Sequence, residues 1–146
     1  MLGLLQRVNR ASVSIRGNCV AGIDRGLLVL VGVERHDDEG KAGRLIERLL
    51  GYRVFPDEQG RMNRSLAEIK GGLLLVPQFT LAADTRKGTR PGFSTAAEPA
   101  RALELFAALV DCARSAHANV GAGEFGADMQ VELINDGPVT FLLQVP

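Results

Sequence analysis

The stretch "LLVLVGV", residues 27–33, decides the fold. It holds no polar or charged side chain, and three of its seven residues are valines. A strand with one face in water alternates between apolar and polar residues, whereas a strand covered on both faces is apolar throughout. We therefore predict that residues 27–33 form a fully buried strand.

Two segments before it also have the composition of strands. Residues 2–8, "LGLLQRV", are mostly apolar, and residues 11–17, "ASVSIRG", follow them closely. In the second segment Val13 and Ile15 alternate with polar residues, which is the period-two pattern of a half-buried strand. The sequence thus predicts two strands here.

Further strands are predicted in the rest of the chain. Residues 52–63 favour a short strand and a turn around Pro56 and Asp57. The other segments with strand composition are residues 72–82, 124–136 and 138–145.

Two helices are indicated by apolar residues at intervals of three and four. The first begins where Asp37 or Asp38 can cap the first turn, and Gly51 stands at a position typical of a C-cap. Its apolar positions are Ala42, Leu45, Ile46, Leu49 and Leu50. The second runs from Pro99, which suits the first helical position, to about His117. Its apolar stripe comprises Ala102, Leu103, Phe106, Leu109, Val110 and Ala113.

The order β-β-β-α-β-β-α-β-β determines the predicted fold class. It lacks the strict alternation of strand and helix that builds a parallel sheet with helices on both faces. We expect an α+β fold with curved, mostly antiparallel or mixed β-sheets in β/β/α layers, and two helices packed on one side. The chain has 146 residues and no long linker, so residues 1–146 are predicted to form a single domain.

The overall composition argues against several classes of protein. The formal net charge is +0, so no global field favours coating of nucleic acid. No apolar run approaches the roughly 20 residues of a membrane span, and no signal peptide is evident, so we expect a cytoplasmic protein. His36 and His117 have no partners at metal-ligand spacing, and we expect them to be solvated or to cap helices. Phosphate-binding glycine motifs are absent.

Two short segments are unusual. Pro77-Gln78-Phe79-Thr80 interrupts an apolar strand, and "NDGPVT", residues 135–140, separates two predicted strands. The plain interpretations are an edge strand for the first and a hairpin turn for the second. The functional interpretations are a strand end whose backbone N–H groups and small polar side chains face a ligand, and a fixed cis proline that marks a site.

These two segments, taken with their flanks, resemble the D-aminoacyl-tRNA deacylase family. The motifs are "QFTLAADT" at residues 78–85 and "NDGPVTF" at residues 135–141. Flanks in the same order include "LQRVNRASVSI" at 5–15, "GLLVLVGVE" at 26–34 and "RPGFS" at 90–94. The resemblance covers essentially the full chain. It implies a homodimeric, cytoplasmic editing hydrolase that cleaves the ester joining a D-amino acid, or glycine, to the 3′ end of tRNA, without a metal or organic cofactor.

The resemblance also implies a catalytic role for main-chain groups. The main chain around Gln78 and Phe79 would donate hydrogen bonds to the scissile carbonyl, with Thr80 nearby. An activated ester needs chiefly a positioned substrate and donors for the oxyanion. The terminal ribose hydroxyl of the tRNA would assist, so no side-chain nucleophile is required. The alternative, in which Thr80 is the nucleophile, lacks an obvious base in the sequence.

Rejection of L-amino acids is implied for a second group of residues. Gly137 and Pro138 correspond to a gate whose cis Gly-Pro bond projects into the partner subunit's pocket, captures the amino group and leaves no room for an L side chain. Arg7 corresponds to the arginine that holds this arrangement. Phe125 and Met129 correspond to residues that line the pocket or the adenosine site.

A basic loop is the candidate contact with the acceptor stem. Arg86, Lys87 and Arg90 lie close together in a polar segment rich in turn formers. Phosphate contacts from these side chains would make tRNA binding depend on salt. A merely solvated loop explains the same composition, so both interpretations stay open.

Pro77 is the position at which the chain departs from the family motif, which usually has serine there. This leaves two alternatives: a non-catalytic tRNA-binding domain, and a relative that carries proline, edits an L-amino acid and holds its Gly-Pro bond in trans. Phe79, Arg7 and "GPVT" agree with the D-specific family. We therefore expect a D-specific enzyme.

Overall fold

The computed structural model describes residues 1–146. It contains eight strands, three α-helices and one short 3-10 helix. In chain order they are β1 (Leu2–Ile15), β2 (Asn18–Ile23), β3 (Gly26–Gly32), α1 (Glu39–Gly51), β4 (Arg53–Pro56), β5 (Met62–Ser65), α2 (Leu66–Ile69), β6 (Gly72–Pro77), the 3-10 helix (Phe79–Ala82), α3 (Pro99–Ala116), β7 (Val120–Ala122) and β8 (Gln130–Gln144).

Six strands form one mixed sheet in the order β2-β1-β3-β6-β7, with β8 paired to β1. Strand β1 is antiparallel to β2, β3 and β8, whereas β3, β6 and β7 run parallel to one another. The sheet curves toward a barrel, and β4 and β5 form a separate antiparallel pair. The predicted α+β fold is confirmed, with the one-turn helix α2 added to the two long helices.

Strands β3 and β6 are buried on both faces, as the composition of residues 27–33 predicts. Leu27 and Val29 point to the core that contains α1 and α3, whereas Leu28 and Leu74 point to a second core on the other face. All four side chains are fully buried. Each contributes roughly 1.5–3 kcal/mol through burial, which explains why the strand tolerates no polar residue.

Asp38 is the N-cap of helix α1, and its carboxylate accepts from the Lys41 amide at 2.8 Å. Asp37 is not the cap. It is buried, and accepts from the Met1 α-ammonium and the Glu34 amide at 2.7 Å each. The predicted C-cap at Gly51 is wrong, because Gly51 is the last helical residue and Tyr52, in extended conformation, is the cap.

Helix α3 begins at Pro99 and ends at the cap residue His117, as predicted. The His117 ring nitrogen Nε2 lies 2.6 Å from the Gly71 carbonyl oxygen. The predicted apolar stripe contains one error: Leu103 is 50% exposed, and Leu105 is fully buried in its place. Leu105 lies three residues after buried Ala102, so it shares the buried face.

The strands near the two ends of the chain are longer than predicted. Residues 2–8 and 11–15 belong to the one strand β1, and residues 130–136 and 138–144 belong to the one strand β8. The predicted strand residues 16–17 lie in a turn, and 124–129 precede β8. The two strands pair along almost their whole length, which holds each of them together across its polar interruption. The short strands β2 and β7 were missed by the sequence pattern.

The predicted strand 72–82 ends early, at Pro77, and residues 79–82 form the 3-10 helix. The edge-strand interpretation is also wrong, because β6 lies between β3 and β7. Gln78 N–H donates to the Val31 carbonyl in β3, so position 77 faces the side of β7, where pairing has already stopped at Leu75. Pro77 therefore sacrifices no bond of the ladder.

Candidate active site

The carboxyl end of β6 opens into a cavity of about 400 Å³. Its walls come from the end of β6, the start of the 3-10 helix, the start of α3, the segment 125–127 and the region around Met129. Eight of its twelve lining residues are hydrophobic, which suits a ligand with an apolar portion. Pro77, Gln78, Phe79, Phe125 and Met129 are all among the lining residues.

The 3-10 helix begins beside this cavity, and its first residue, Phe79, lines it. The first bond inside the helix runs from Leu81 N–H to the Gln78 carbonyl at 3.1 Å. The amides of Phe79 and Thr80 precede it and have no partner within the helix, as at every helix N-terminus. The Gln78 amide is engaged with the Val31 carbonyl at 2.8 Å, so the expectation that it is a free donor is wrong.

The Thr80 hydroxyl has only one hydrogen-bond partner, the side-chain amide of Gln78, which donates to it. An amide NH₂ group cannot accept a proton from the hydroxyl. No histidine, lysine or carboxylate makes a hydrogen bond with Thr80. The local geometry therefore gives Thr80 no general base.

Close packing fixes the wall beside Met129. A Cβ atom added at Gly123 would lie 2.9 Å from the Met129 sulfur and 3.3 Å from Pro77 Cδ. Gly123 N–H donates to the Leu75 carbonyl at 2.8 Å and so extends the pairing of β7 with β6. Glycine at this position therefore allows Pro77 and Met129 to approach the same backbone.

The segment "NDGPVT" is a wide bulge in β8 rather than a hairpin turn. On β1, Gln6 pairs with Thr140 and Val8 pairs with Asn135, so residues 136–139 have only Arg7 opposite them. They therefore leave the plane of the ladder. The Gly137-Pro138 peptide is cis, as the resemblance implies and unlike the trans bond of the L-specific alternative.

Two side chains hold the bulge in place. Asn135 accepts from the Val139 amide at 2.7 Å and donates to the Thr140 hydroxyl at 2.8 Å. Arg7 donates through Nε to the Asp136 carbonyl at 2.9 Å and through Nη1 to the Val54 carbonyl at 2.6 Å. The bulge is thus fixed both to itself and to the small β4–β5 sheet.

Gly137 and Pro138 do not line the cavity of their own chain. Both are exposed. The structure therefore brings Gln78, Phe79, Phe125 and Met129 together around the cavity. It places the exposed Gly137 and Pro138 and the mostly buried Arg7 outside the cavity lining.

The predicted basic cluster lies in a hairpin between the 3-10 helix and α3. Asp84 and Gly92 exchange backbone hydrogen bonds of 2.7 and 3.0 Å at its base. Arg86, Lys87 and Arg90 line a second, polar cavity of about 420 Å³ in this hairpin. These three cations face one carboxylate, that of Asp84.

Asp84 neutralises one of the three predicted cations of this hairpin. It forms a two-pronged ion pair with Arg86, with contacts of 2.8 and 2.7 Å. Hydrogen bonds from the Arg86 side chain and amide hold the pKa of the Asp84 carboxyl well below its usual range, and the pKa of Arg86 is raised. Lys87 and Arg90 form no ion pair, so they are the free cations of the cluster.

Sequence reasoning missed three residues: Asn135 in the β8 bulge, and Asp84 and Phe93 in the basic hairpin. Asn135 had a readable signal, because asparagine side chains commonly bind the backbone of their own turn. Asp84 lies two residues before Arg86, a short-range ion pair that could also have been foreseen. The ring of Phe93 lies 5.1 Å from that of Phe79, a contact between distant segments that no local pattern reveals.

Relatives of the chain are identified by comparison with known proteins. Residues 4–144 match the family described as D-Tyr-tRNA(Tyr) deacylase. The chain belongs to the D-Tyr-tRNA(Tyr) deacylase family. Membership of this deacylase family, predicted from the two motifs and their flanks, is therefore confirmed.

None of the helices is both long and apolar enough to cross a membrane.

Curated relatives named D-aminoacyl-tRNA deacylase are similar to the chain over nearly their whole length. A D-aminoacyl-tRNA deacylase of Stutzerimonas stutzeri is 62% identical over 144 residues, covering 99% of both chains. One from Alkalilimnicola ehrlichii is also 62% identical, covering 99% of this chain and 96% of its own. One from Pseudomonas putida strain F1 is 61% identical over 145 residues, covering 99% of this chain and 100% of its own.

Solved structures share the fold. A structure of a c-Myc DNA Unwinding Element Binding Protein has a TM-score of 0.96 at 35% identity, covering 100% of this chain and 99% of the other. A probable eukaryotic D-amino acid tRNA deacylase has a TM-score of 0.86 at 17% identity, covering 99% and 98%. The second comparison establishes similarity of fold only.

Proposed function

We propose that the protein is a D-aminoacyl-tRNA deacylase, a proofreading hydrolase that acts in the cytoplasm through a single domain of residues 1–146. It cleaves the ester of D-aminoacyl-tRNA and of mischarged glycyl-tRNA, and rejects L-aminoacyl esters. The observation that carries the proposal is the family match over residues 4–144, which includes both unusual segments of the sequence.

The reaction is the transfer of an acyl group to water. The water oxygen bonds to the ester carbonyl carbon, and negative charge develops on the carbonyl oxygen. The bond to the ribose oxygen then breaks, that oxygen takes a proton, and the free amino acid and tRNA leave. Donors placed where the charge develops are the main requirement, and removing one such donor typically costs a factor of about 100–1,000 in rate.

The amides of Phe79 and Thr80 are the proposed donors. Both lie at the N-terminal end of the 3-10 helix, and Phe79 lines the cavity. Gln78 would contribute its side chain rather than its backbone N–H group, because that N–H group already donates to the Val31 carbonyl. Phe125 and Met129, which line the same cavity, would hold the terminal adenosine or the acyl group.

Thr80 is not the proposed nucleophile. Its hydroxyl accepts from the Gln78 side chain, and no histidine, lysine or carboxylate forms a hydrogen bond with it. The terminal ribose hydroxyl of the tRNA remains the group that would assist the attacking water. Catalysis on this basis requires no metal or organic cofactor.

A homodimer would complete the site. Gly137 and Pro138 do not reach the cavity of their own chain, so a gate made from them needs the cavity of a partner subunit. Strand β8 pairs only with β1, which leaves its other edge unpaired. Its exposed Ile134, Phe141 and Leu142 give that region an apolar surface suited to a second copy.

Selectivity follows from where the gate would stand. Carbonyl groups of Gly137 and Pro138 that bind the substrate amino group would occupy the space of an L side chain. A D side chain points away from that space, and glycine has no side chain to exclude. The protein would therefore act on glycyl esters as well as on D-aminoacyl esters.

The hairpin cations would hold the acceptor stem. Lys87 and Arg90 have no carboxylate partner, so they are the stronger candidates for phosphate contacts. Arg86 is engaged with Asp84 and would bind phosphate only by exchanging that partner.

The decisive experiment compares D-tyrosyl-tRNA with L-tyrosyl-tRNA. The purified protein should accelerate hydrolysis of the D-ester over a buffer blank and leave the L-ester near the blank. Binding of tRNA without turnover would instead identify a non-catalytic tRNA-binding domain, and preference for an L-ester would contradict D-specificity.

The dimer is tested separately. Light scattering after gel filtration should give twice the mass of the chain. Leu142→Lys should shift the protein toward the monomer and reduce turnover together. An active monomer would contradict the cross-subunit gate.

A further inference from the structure

A pair of exposed aromatic rings lies beside the candidate active site. Phe79 and Phe93 are in contact, with ring centroids 5.1 Å apart and planes inclined by 41°. Phe79 is 58% exposed and Phe93 is 41% exposed. Two large apolar side chains are normally covered when they meet, so a pair open to solvent is a ready surface for a flat apolar ligand.

The position of Phe93 is fixed from both sides. The preceding residue, Gly92, is paired with Asp84 by two backbone hydrogen bonds. After it, Ala96 N–H donates to the Phe93 carbonyl at 3.1 Å, and the Thr95 hydroxyl donates to the Ala82 carbonyl. The backbone that carries the ring is thus anchored on both sides, so the entropic cost of ordering it when a ligand binds is small.

The pair connects two surfaces that would otherwise be separate. Phe79 lines the apolar cavity. Gly92 and Ser94, the neighbours of Phe93 in the chain, line the polar cavity with Lys87 and Arg90. Along the surface the order is therefore reacting site, aromatic pair, and free cations.

Single-stranded nucleic acid has the matching chemistry. Its bases present flat apolar faces that stack on aromatic side chains, and its phosphates bind cations along a groove. We propose that the Phe79–Phe93 pair is a stacking site for an unpaired nucleobase of the RNA 3′ end, the base next to the nucleotide that carries the ester. The backbone phosphates of that strand run toward Lys87 and Arg90. This inference rests on the proposed function and adds a subsite to it.

The test compares two substrates that differ only in the RNA. D-tyrosyl-adenosine carries the ester but no neighbouring base, whereas D-tyrosyl-tRNA carries both. Phe93→Leu keeps an apolar side chain against Phe79 but removes the aromatic face. It should lower kcat/KM for the tRNA ester by about 5- to 150-fold, the usual effect of one lost stacking contact. It should leave turnover of D-tyrosyl-adenosine unchanged, and Phe93→Tyr should restore the tRNA rate.

Leu103→Ala provides the matched control. Leu103 is 50% exposed on α3 and does not line the cavity, so its truncation should change neither rate. An equal fall for both substrates in Phe93→Leu would mean that Phe93 only supports Phe79, and would overturn the proposal. An unchanged tRNA rate would overturn it as well.

A binding measurement keeps the inference testable if the protein proves inactive. A short single-stranded RNA with 2-aminopurine next to its 3′-terminal nucleotide loses fluorescence when that base stacks on an aromatic ring. The wild-type protein should quench this signal, and Phe93→Leu should quench it less. Equal quenching by the two proteins would contradict the stacking site whatever the outcome of the hydrolysis assay.

Discussion

Arg7 donates a hydrogen bond from Nε to the main-chain carbonyl of Asp136 at 2.9 Å, across 129 positions of the sequence. The same guanidinium reaches the Val54 carbonyl at 2.6 Å. The guanidinium carries donors on three nitrogens in a rigid fork, so it can bind two carbonyls in different elements at once. Arg7 therefore joins the β8 bulge to the β4–β5 sheet.

Replacement of Arg7 should weaken both stability and stereoselectivity. Arg7→Ala should lower the free energy of unfolding by about 1.5–3 kcal/mol, because it removes hydrogen bonds from a charged donor. The ratio of D-ester to L-ester turnover should fall by about tenfold, and Arg7→Lys should not restore the wild-type ratio. Arg10→Ala is the control on the same strand, since its exposed 3.5 Å ion pair with Glu132 is worth little. A ratio unchanged in Arg7→Ala would contradict the role of the bulge.

The amide of Phe79 can be tested by a pair of substitutions. Phe79→Ala removes the ring alone, whereas Phe79→Pro removes the ring and the N–H group. Proline suits the first position of a helix, and Gln78 before it, with φ −140° and ψ 81°, lies outside the α region that a following proline disfavours. We expect kcat for Phe79→Pro to be about 100–1,000-fold below that of Phe79→Ala. Equal rates would exclude this amide as an oxyanion donor, and Thr80→Ala should retain activity in either case.

Asp84→Asn should strengthen tRNA binding. The lowered pKa of Asp84 keeps it ionised and paired with Arg86 at neutral pH. The pair adds to stability above the ordinary aspartate pKa of 3.8 and loses this contribution as the pH falls through the lowered value. The substitution frees one cation at pH 7, so the slope of log K against log salt should steepen by about one. Arg90→Gln should make it shallower by about one, and identical slopes for all three proteins would leave the hairpin outside the interface.

Pro77→Ser should leave the rate nearly unchanged. The added N–H group would face the side of β6 where pairing with β7 has ended, so it would replace no bond of the ladder. We expect kcat/KM within about twofold of the wild type, as for substitutions that break no specific interaction. A large gain would mean that a serine hydroxyl contributes to the chemistry and that Pro77 impairs it.

Gly26→Ala should be strongly destabilising. An added Cβ atom would lie 1.9 Å from the Gly72 carbonyl oxygen, so β3 and β6 would have to separate. The cost should be at least about 1–3 kcal/mol, as for overpacked cores, measured by urea unfolding. Gly51→Ala is the contrasting variant, because nothing lies within 4 Å of its Cβ position. It should stabilise the protein by up to about 1 kcal/mol as a better helix former.

The central strands and long helices could be predicted because their signals are local. Residues 27–33 are apolar at every position, and Asp38 and Pro99 mark the two helix starts. Strand β8 could not be recognised as one strand, because Asn-Asp-Gly-Pro has the same composition in a hairpin turn as in a bulge. What separates the two is pairing with β1, a contact made far along the chain.

The sequence predicted which segment forms the site, but not which of its backbone N–H groups are free. The motif around Phe79 located the end of β6, and the structure places a cavity there. Which amide is free depends on the register of β6 against β3, which engages Gln78 through Val31. Register is a property of the assembled sheet, so the choice among neighbouring amides could not come from the motif alone.

The floor of the cavity also belongs to the cores of the fold. Val76 and Ala102 line it, yet they are only 1% and 4% exposed and pack among the buried residues. Truncating Val76 to enlarge the cavity would therefore leave a void beneath the sheet and cost folding free energy. Phe125 and Met129 are only partly buried where they pack against these cores, so truncating them should cost less folding free energy. During evolution, or in a laboratory selection for new substrates, substitutions should therefore accumulate at Phe125 and Met129, whereas Val76 and Ala102 should stay constant.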